Sequence, residues 1–248
     1  MGVRRGAYGA VSTELGLRSD RALRELLEAA EPLGTGIGGR SGLLEISGTP
    51  VFVKRVPVTE PELSPGNVHS TANLFGLPMF CQYGIGGPSF GAWRELAVHV
   101  MTTNWVLAGE HDGFPLLYHW RVLPDPLPSL PDELADVDRA VADCGGRPQV
   151  RQCIEALRDA PASLVLFLEY IPQTLPDWLT AQLQAGDETA DQAIGMVERE
   201  LQSGLAFMNA RGLLHFDAHF HNILTDGRRL YFTDYGLALS SRFDLTAD

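Results

Sequence analysis

Apolar positions along this chain repeat with two periods, and each period predicts its own kind of element. Leu23, Leu26, Leu27 and Ala30 recur at three- and four-residue steps behind Ser19, whose hydroxyl suits an N-cap, so a helix is predicted from Ser19 to Ala30. Trp93, Leu96, Val100 and Met101 predict a second helix over 92–101. Ile194, Val197, Leu201, Leu205 and Met208 predict a long one from Asp191, with Gly212 placed to stop it. A short helix is predicted to begin at Pro176–Thr180. The strand-like runs are shorter. Leu43–Ile46 and Val51–Val53 flank the turn residues Ser47-Gly-Thr-Pro50 and predict a hairpin, with Lys54 ending its second strand. Leu164–Ile171 reads as a fully buried strand, and Asn222–Leu224 and Leu230–Thr233 as two short ones. Residues 57–91 and 124–136 are rich in proline and glycine or in proline and acid. The first is a long connection, functional or a tolerated insertion, and the second an exposed linker.

Composition bounds the possibilities. The chain has 248 residues, 45% of them hydrophobic, enough for one large or two small cores. A net charge of -12 argues against nucleic acid or an anionic membrane as the main partner, since both call for a basic surface. Cys81, Cys144 and Cys153 are odd in number and lack metal-ligand spacing, which points to a reducing, cytoplasmic setting. No signal-peptide pattern and no run long enough to span a bilayer stand out, and position 6 lacks the serine or threonine of an acylation signal.

The chemistry concentrates in His215-Phe-Asp-Ala-His-Phe-His-Asn222 and Asp234-Tyr-Gly236. Phosphoryl transfer calls for a carboxylate to orient an attacking hydroxyl and for oxygen ligands that hold Mg²⁺ against the phosphates. Asp217 suits the first role, and Asn222 with Asp234 the second, because Mg²⁺ keeps several waters and takes few protein oxygens. Gly236 is expected to let the chain turn sharply after the metal ligand. Upstream, Gly34-Thr-Gly36-Ile-Gly38-Gly39 matches G-x-G-x-x-G through Gly34, Gly36 and Gly39. A strand pair follows it, unlike the helix that a dinucleotide site requires. Lys54 on that pair is placed to reach nucleotide phosphates, and Glu95 is the acid of the next helix available to hold it.

His215-x-Asp217-x-x-x-x-Asn222 with Asp234-Tyr-Gly236 resembles the catalytic and metal-binding loops of the protein kinase-like superfamily, which includes protein kinases and the aminoglycoside and choline phosphotransferases. The resemblance implies an α+β, bilobal fold. Its small lobe would have an antiparallel sheet and one main helix, with a nucleotide-binding part at 1–168 that carries the 57–91 insertion. A hinge and partial helical large lobe would follow at 169–248, cut off after the metal loop. It further implies ATP and Mg²⁺ as cofactors, Asp217 as base, Asn222 and Asp234 as metal ligands, and His215 as a brace. Glu169 and Ile171 would lie at the adenine, and Leu168 at the gatekeeper position. The implied activity is transfer to a hydroxyl, a protein Ser or Thr first and a small molecule as the close alternative. Phe216 and His219 replace the arginine and lysine that protein kinases carry around the aspartate, and lean towards small-molecule enzymes. Asp177 suits either ribose or a helix start. Two other classes remain open: a pseudokinase or ATP-binding module, and a Zn²⁺ hydrolase using His215, Asp217, His219 and His221, which would share one face of a strand. Oligomeric state is not indicated.

Overall fold

The structure is a computed structural model that describes residues 2–36, 39–83, 89–126 and 129–245. It is a mixed α+β protein built on an antiparallel five-stranded sheet. The chain opens with α1 (Gly2–Gly16) and α2 (Asp20–Glu28), the latter capped by Ser19, whose hydroxyl accepts from the Ala22 N–H. Strands β1 (Glu31–Gly36), β2 (Gly39–Ile46) and β3 (Thr49–Val58) follow as a meander. The β2–β3 turn is the expected one, with Ser47 and Gly48 both at positive φ. Strand β3 runs four residues past Lys54, so the lysine lies within the strand instead of ending it.

After α3 (Glu60–Leu63) comes α4 (Ala92–Ala108), which is longer than its apolar repeat suggests and ends in an αL Gly109. Strand β4 (Leu117–Pro124), helices α5 (Asp132–Ala135), α6 (Val137–Asp143) and α7 (Pro148–Arg158), and strand β5 (Ala162–Glu169) come next. The sheet order is β1-β2-β3-β5-β4, which sets Lys54 opposite Leu166 at its centre.

Alternation along β3 explains how each face is covered. Val51 and Val53 point into a core shared with Val11 and Leu15 of α1 and Leu23 and Leu27 of α2. Val56 and Val58 point the other way, onto Trp93 and Leu96 of α4. Lys54 shares their parity and therefore enters an apolar layer, where its charge needs a partner.

The remainder is β6 (Gln173–Thr174), α8 (Leu175–Gln184), α9 (Asp187–Ala210), β7 (Leu213–Leu214), β8 (Ile223–Thr225), β9 (Leu230–Phe232) and β10 (Leu239–Ser240). Helix α9 starts four residues before Asp191, and of the expected stripe Val197 and Met208 are buried and Leu201 packs against the core. Ile194 and Leu205 are exposed, while Ala190, Ala193, Val197, Gly204 and Met208 are buried. A Cβ on Gly204 would stand 2.2 Å from the Phe232 ring, so a missing side chain lets α9 lie on β9.

The two proline-rich segments each contribute residues to a core. Leu77, Cys81 and Phe90 join Leu134, Val141, Val150, Cys153 and Ile154 in a second core formed with α5, α6 and α7. The described residues of 124–136 are mostly exposed, as expected, but the segment contains α5 and anchors itself through the buried Leu134. All three cysteines are free and buried. Among the described residues, no helix is long and apolar enough to cross a membrane.

Candidate active site

Lys54 Nζ donates to Glu95 Oε1 at 2.6 Å and to Asp234 Oδ1 at 3.1 Å, joining strand β3, helix α4 and the loop after β9 at one point. Glu95 is 2% exposed and Lys54 8%, so this ion pair is made out of water. Burial alone would push the lysine's pKa down, but the Asp234 and Glu95 carboxylates outweigh it and hold the ammonium well above its usual value. Lys54 in turn lowers the Asp234 carboxyl against the effect of burial.

The two loops bearing Asp217 and Asp234 are brought together by strand pairing. Ile223 of β8 pairs with Phe232 of β9, so Asn222 and Thr233 leave the ladder at the same end. The Thr233 N–H and hydroxyl both donate to the Asn222 carbonyl, at 3.0 and 2.9 Å. Asn222 Nδ2 donates to the Asp217 carbonyl at 3.0 Å and to Asp217 Oδ2 at 2.9 Å. That leaves the Asn222 side-chain oxygen, with the Asp234 carboxylate, as the oxygen donors suited to a hard cation such as Mg²⁺. These residue types fit that ion, which would complete its shell with water and phosphate oxygens.

His215 braces the loop. Its Nε2–H donates to the Thr233 carbonyl at 3.0 Å, and its Nδ1 accepts from the Asp217 N–H at 3.4 Å. Burial depresses its pKa, so the ring is neutral with the proton on Nε2. Tyr235 is fully buried between His215 and His99, with ring centroids 5.3 and 4.8 Å away, and its hydroxyl donates to the Phe232 carbonyl at 2.6 Å. The Asp-Tyr-Gly tripeptide is thereby packed against α4, the helix that carries Glu95.

Four described non-glycine residues have positive φ, and two of them, Phe216 (61°) and Asp234 (60°), sit in these loops. Backbone held in such conformations is over-determined by its surroundings and concentrates at functional sites. The expected sharp turn at Gly236 is instead made by Asp234 itself. Gly236 has no positive φ, and a Cβ there would meet nothing closer than 3.6 Å.

A cavity of about 450 Å³ opens over this cluster. Its walls include Gly34, Gly39, Lys54, Leu168, Glu169, Ile171, Asn222 and Asp234, so most of the expected site residues face one space. Glu95 and Asp217 do not line it. They join it by bonding to Lys54 and Asn222, and Asp217 is half-buried. Gly36 pairs with Gly39 at the end of the β1–β2 hairpin, while Ile37 and Gly38 lie outside the described residues. Gly39 is required by geometry: φ is +108° and a Cβ would stand 2.0 Å from the Arg55 carbonyl oxygen. At the far wall, the Ile171 N–H donates to no backbone or side-chain group among the described residues.

Two participants have no counterpart in the sequence expectations. His99 lines the cavity one helical turn after Glu95, with Nε2 3.8 Å from Glu95 Oε1, and the i,i+4 spacing was the available signal. Arg4 of α1 grips Glu169 with both Nε and Nη2, at 2.8 and 2.6 Å, and also donates to the Asp112 and Phe114 carbonyls. Nothing local in the sequence signals a contact across 165 residues.

The histidine cluster does not assemble. Residues 215–222 form a loop and a single 3-10 turn, not a strand, and both His215 ring nitrogens are engaged. Among the described residues, no three His, Cys, Asp or Glu side chains are grouped to hold a metal ion. Asp177 behaves as a helix-start residue, its carboxylate accepting from the Thr174 hydroxyl at 2.6 Å. No protein-family model matches the chain, and no curated protein matches it either.

Proposed function

We propose that this protein is an ATP-dependent phosphotransferase of the protein kinase-like type, moving the γ-phosphoryl group of Mg²⁺-ATP to a hydroxyl. The observation that carries the proposal is the buried Lys54–Glu95 pair in contact with Asp234. A lysine enters an apolar layer, is fixed by one carboxylate, and faces a cavity beside a second carboxylate. A purely structural ion pair has no use for the second one. The bilobal arrangement belongs to the same proposal, with the sheet and α4 as the nucleotide-binding part and β6 onward as the part that presents the loops.

In this scheme Lys54 binds the α and β phosphates while Glu95 keeps its ammonium in place once Asp234 turns to the metal. Asp234 and the Asn222 side-chain oxygen would hold Mg²⁺, whose positive charge would supply the neutralisation that phosphoryl transfer calls for. Asp217, fixed by Asn222 and by the His215 bond to its N–H, orients the acceptor hydroxyl and takes its proton. Glu169 and Ile171 supply backbone groups to the adenine, which the unengaged Ile171 N–H supports. Ser or Thr of a protein is the first acceptor class. A small alcohol is the second, favoured by His219, whose Nε2 lies 3.7 Å from Asp217 Oδ1 where protein kinases place a lysine.

The test is Mg²⁺-dependent transfer of labelled γ-phosphate, with a Ser/Thr peptide library in one arm and aminoglycosides and choline in the other. Transfer that vanishes in Asp217→Ala while ATP binding persists is the expected result. Turnover retained in Asp217→Ala would overturn the base assignment.

A further inference from the structure

Helix α4 faces two ways. Glu95 serves the cleft, while the preceding residue, Arg94, turns about 100° around the helix into the second core. Arg94 is 1% exposed. Its Nε donates to the Thr71 carbonyl at 2.7 Å, but neither Nη1 nor Nη2 has a hydrogen-bond partner among the described residues. Its guanidinium lies 4.8 Å from the Phe90 ring centroid and 5.6 Å from that of Phe243. No carboxylate among the described residues is within ion-pair distance of it. Burial pushes its pKa down to about 10, with no charged neighbour acting against that.

A buried guanidinium with four unused N–H donors is costly unless something binds it. Arg94 lines a cavity of about 510 Å³, distinct from the nucleotide cleft, which also takes in Asn73, Gly76, Arg147 and Gln149. Among the described residues, no acid lines this cavity, in a chain whose net charge is -12. Arg147 makes no ion pair among the described residues and is the N-cap of α7, an eleven-residue helix with no side-chain cap and no acid in its first turn. The positive end of the helix, a surface arginine and a buried arginine thus converge on one space that also offers two carboxamides.

We propose that this cavity is a binding site for a phosphate group, free or as a small phosphomonoester. Arg94 supplies the buried charge, Arg147 closes on the outer side, and Gln149 adds a carboxamide, with one Nδ2 hydrogen of Asn73 left over because its amide already donates to the Leu77 carbonyl and accepts from the Leu77 N–H. The site is independent of the phosphotransferase proposal, since it shares no residue with the nucleotide cavity.

Calorimetric titration of inorganic phosphate and of glycerol 3-phosphate, in parallel, into the wild-type chain and into Lys54→Met tests it. Lys54→Met removes the cation through which the nucleotide cleft would take phosphate, so binding that persists there belongs to the second cavity. Arg147 is exposed, and Arg147→Glu is expected to fold normally and to weaken binding by about tenfold or more. Arg94→Lys keeps the charge but loses the fork, and is expected to weaken it as well. The tighter of the two ligands identifies the source of the phosphate. No binding of either ligand, binding lost in Lys54→Met, or equal affinity in Arg147→Glu would overturn the proposal.

Discussion

Replacing Lys54 by methionine leaves Glu95 buried, charged and unpaired, and that cost is measurable without knowing any substrate. At the observed 2.6 Å, and with an effective dielectric of about 20, the attraction between the two charges is about 6 kcal/mol before desolvation. Asp234 stands at 3.1 Å, but its side chain is 39% exposed and solvent screens it, so Glu95 dominates. Desolvation of both ions takes back most of the attraction, leaving Lys54→Met destabilising by about 3 kcal/mol. Glu95→Gln keeps the shape and one hydrogen bond, and Lys54 retains Asp234, so it costs about 2 kcal/mol. With both changes no unpaired charge is left at position 95, and the double variant costs about 3 kcal/mol, no more than Lys54→Met alone. The coupling is therefore about 2 kcal/mol. Urea unfolding followed by circular dichroism, with m unchanged across the four proteins, measures each corner of the cycle. Additivity within about 0.5 kcal/mol would refute the claim that the two side chains act as one buried pair.

Three further outcomes are expected. Arg4→Ala should lower stability by about 1.5–3 kcal/mol and weaken ATP binding, because Arg4 holds Glu169 at the start of the expected adenine contact; unchanged unfolding midpoint and affinity would remove α1 from the site. Gly39→Ala should destabilise by about 2 kcal/mol or more, and Gly236→Ala by under about 1 kcal/mol, as read by thermal unfolding; the reverse order would contradict the backbone geometry at both positions. His215 has a depressed folded pKa, so the unfolded chain binds its proton first as pH falls. Its contribution is complete above the unfolded value of about 6.5 and is lost as pH drops through the folded value. His215→Gln should flatten the stability profile on the acid side of about pH 6.5, and an unchanged slope would show that the ring is not held neutral.

The site was more legible in the sequence than the packing around it. Lys54, Glu95, Asp217, Asn222 and Asp234 were picked out by residue type and spacing; strand pairing of Ile223 with Phe232 brings the Asn222 and Asp234 loops together, and the hydrogen bonds of Lys54 add β3 and α4. Hairpin β2–β3 and strand β5 were legible for the same local reason: turn residues and continuous apolar runs. The failures are non-local. Residues 57–91 and 124–136 gave no core position in the sequence because proline and glycine interrupt every period, yet Leu77, Phe90 and Leu134 find one another across the chain. The face of helix α9 was read in part: Val197, Leu201 and Met208 do face the core, but Ile194 and Leu205 do not, and Ala190, Ala193 and Gly204 bury as small residues that a hydrophobic-period search passes over. Gly236 was given a turn that Asp234 makes, because glycine is the default for positive φ and an aspartate held by Lys54 and the Gly236 N–H is not. Arg4 and Arg94 carry no local signal at all, since what distinguishes them is a partner 165 residues away in one case and the lack of a described charge partner in the other.

The most direct test of the central claim is calorimetric titration of ATP into the protein with and without Mg²⁺, repeated with Lys54→Met and with Zn²⁺ in place of nucleotide. The account predicts Mg²⁺-dependent ATP binding that is lost in Lys54→Met. Absence of ATP binding, together with tight binding of Zn²⁺, would contradict it.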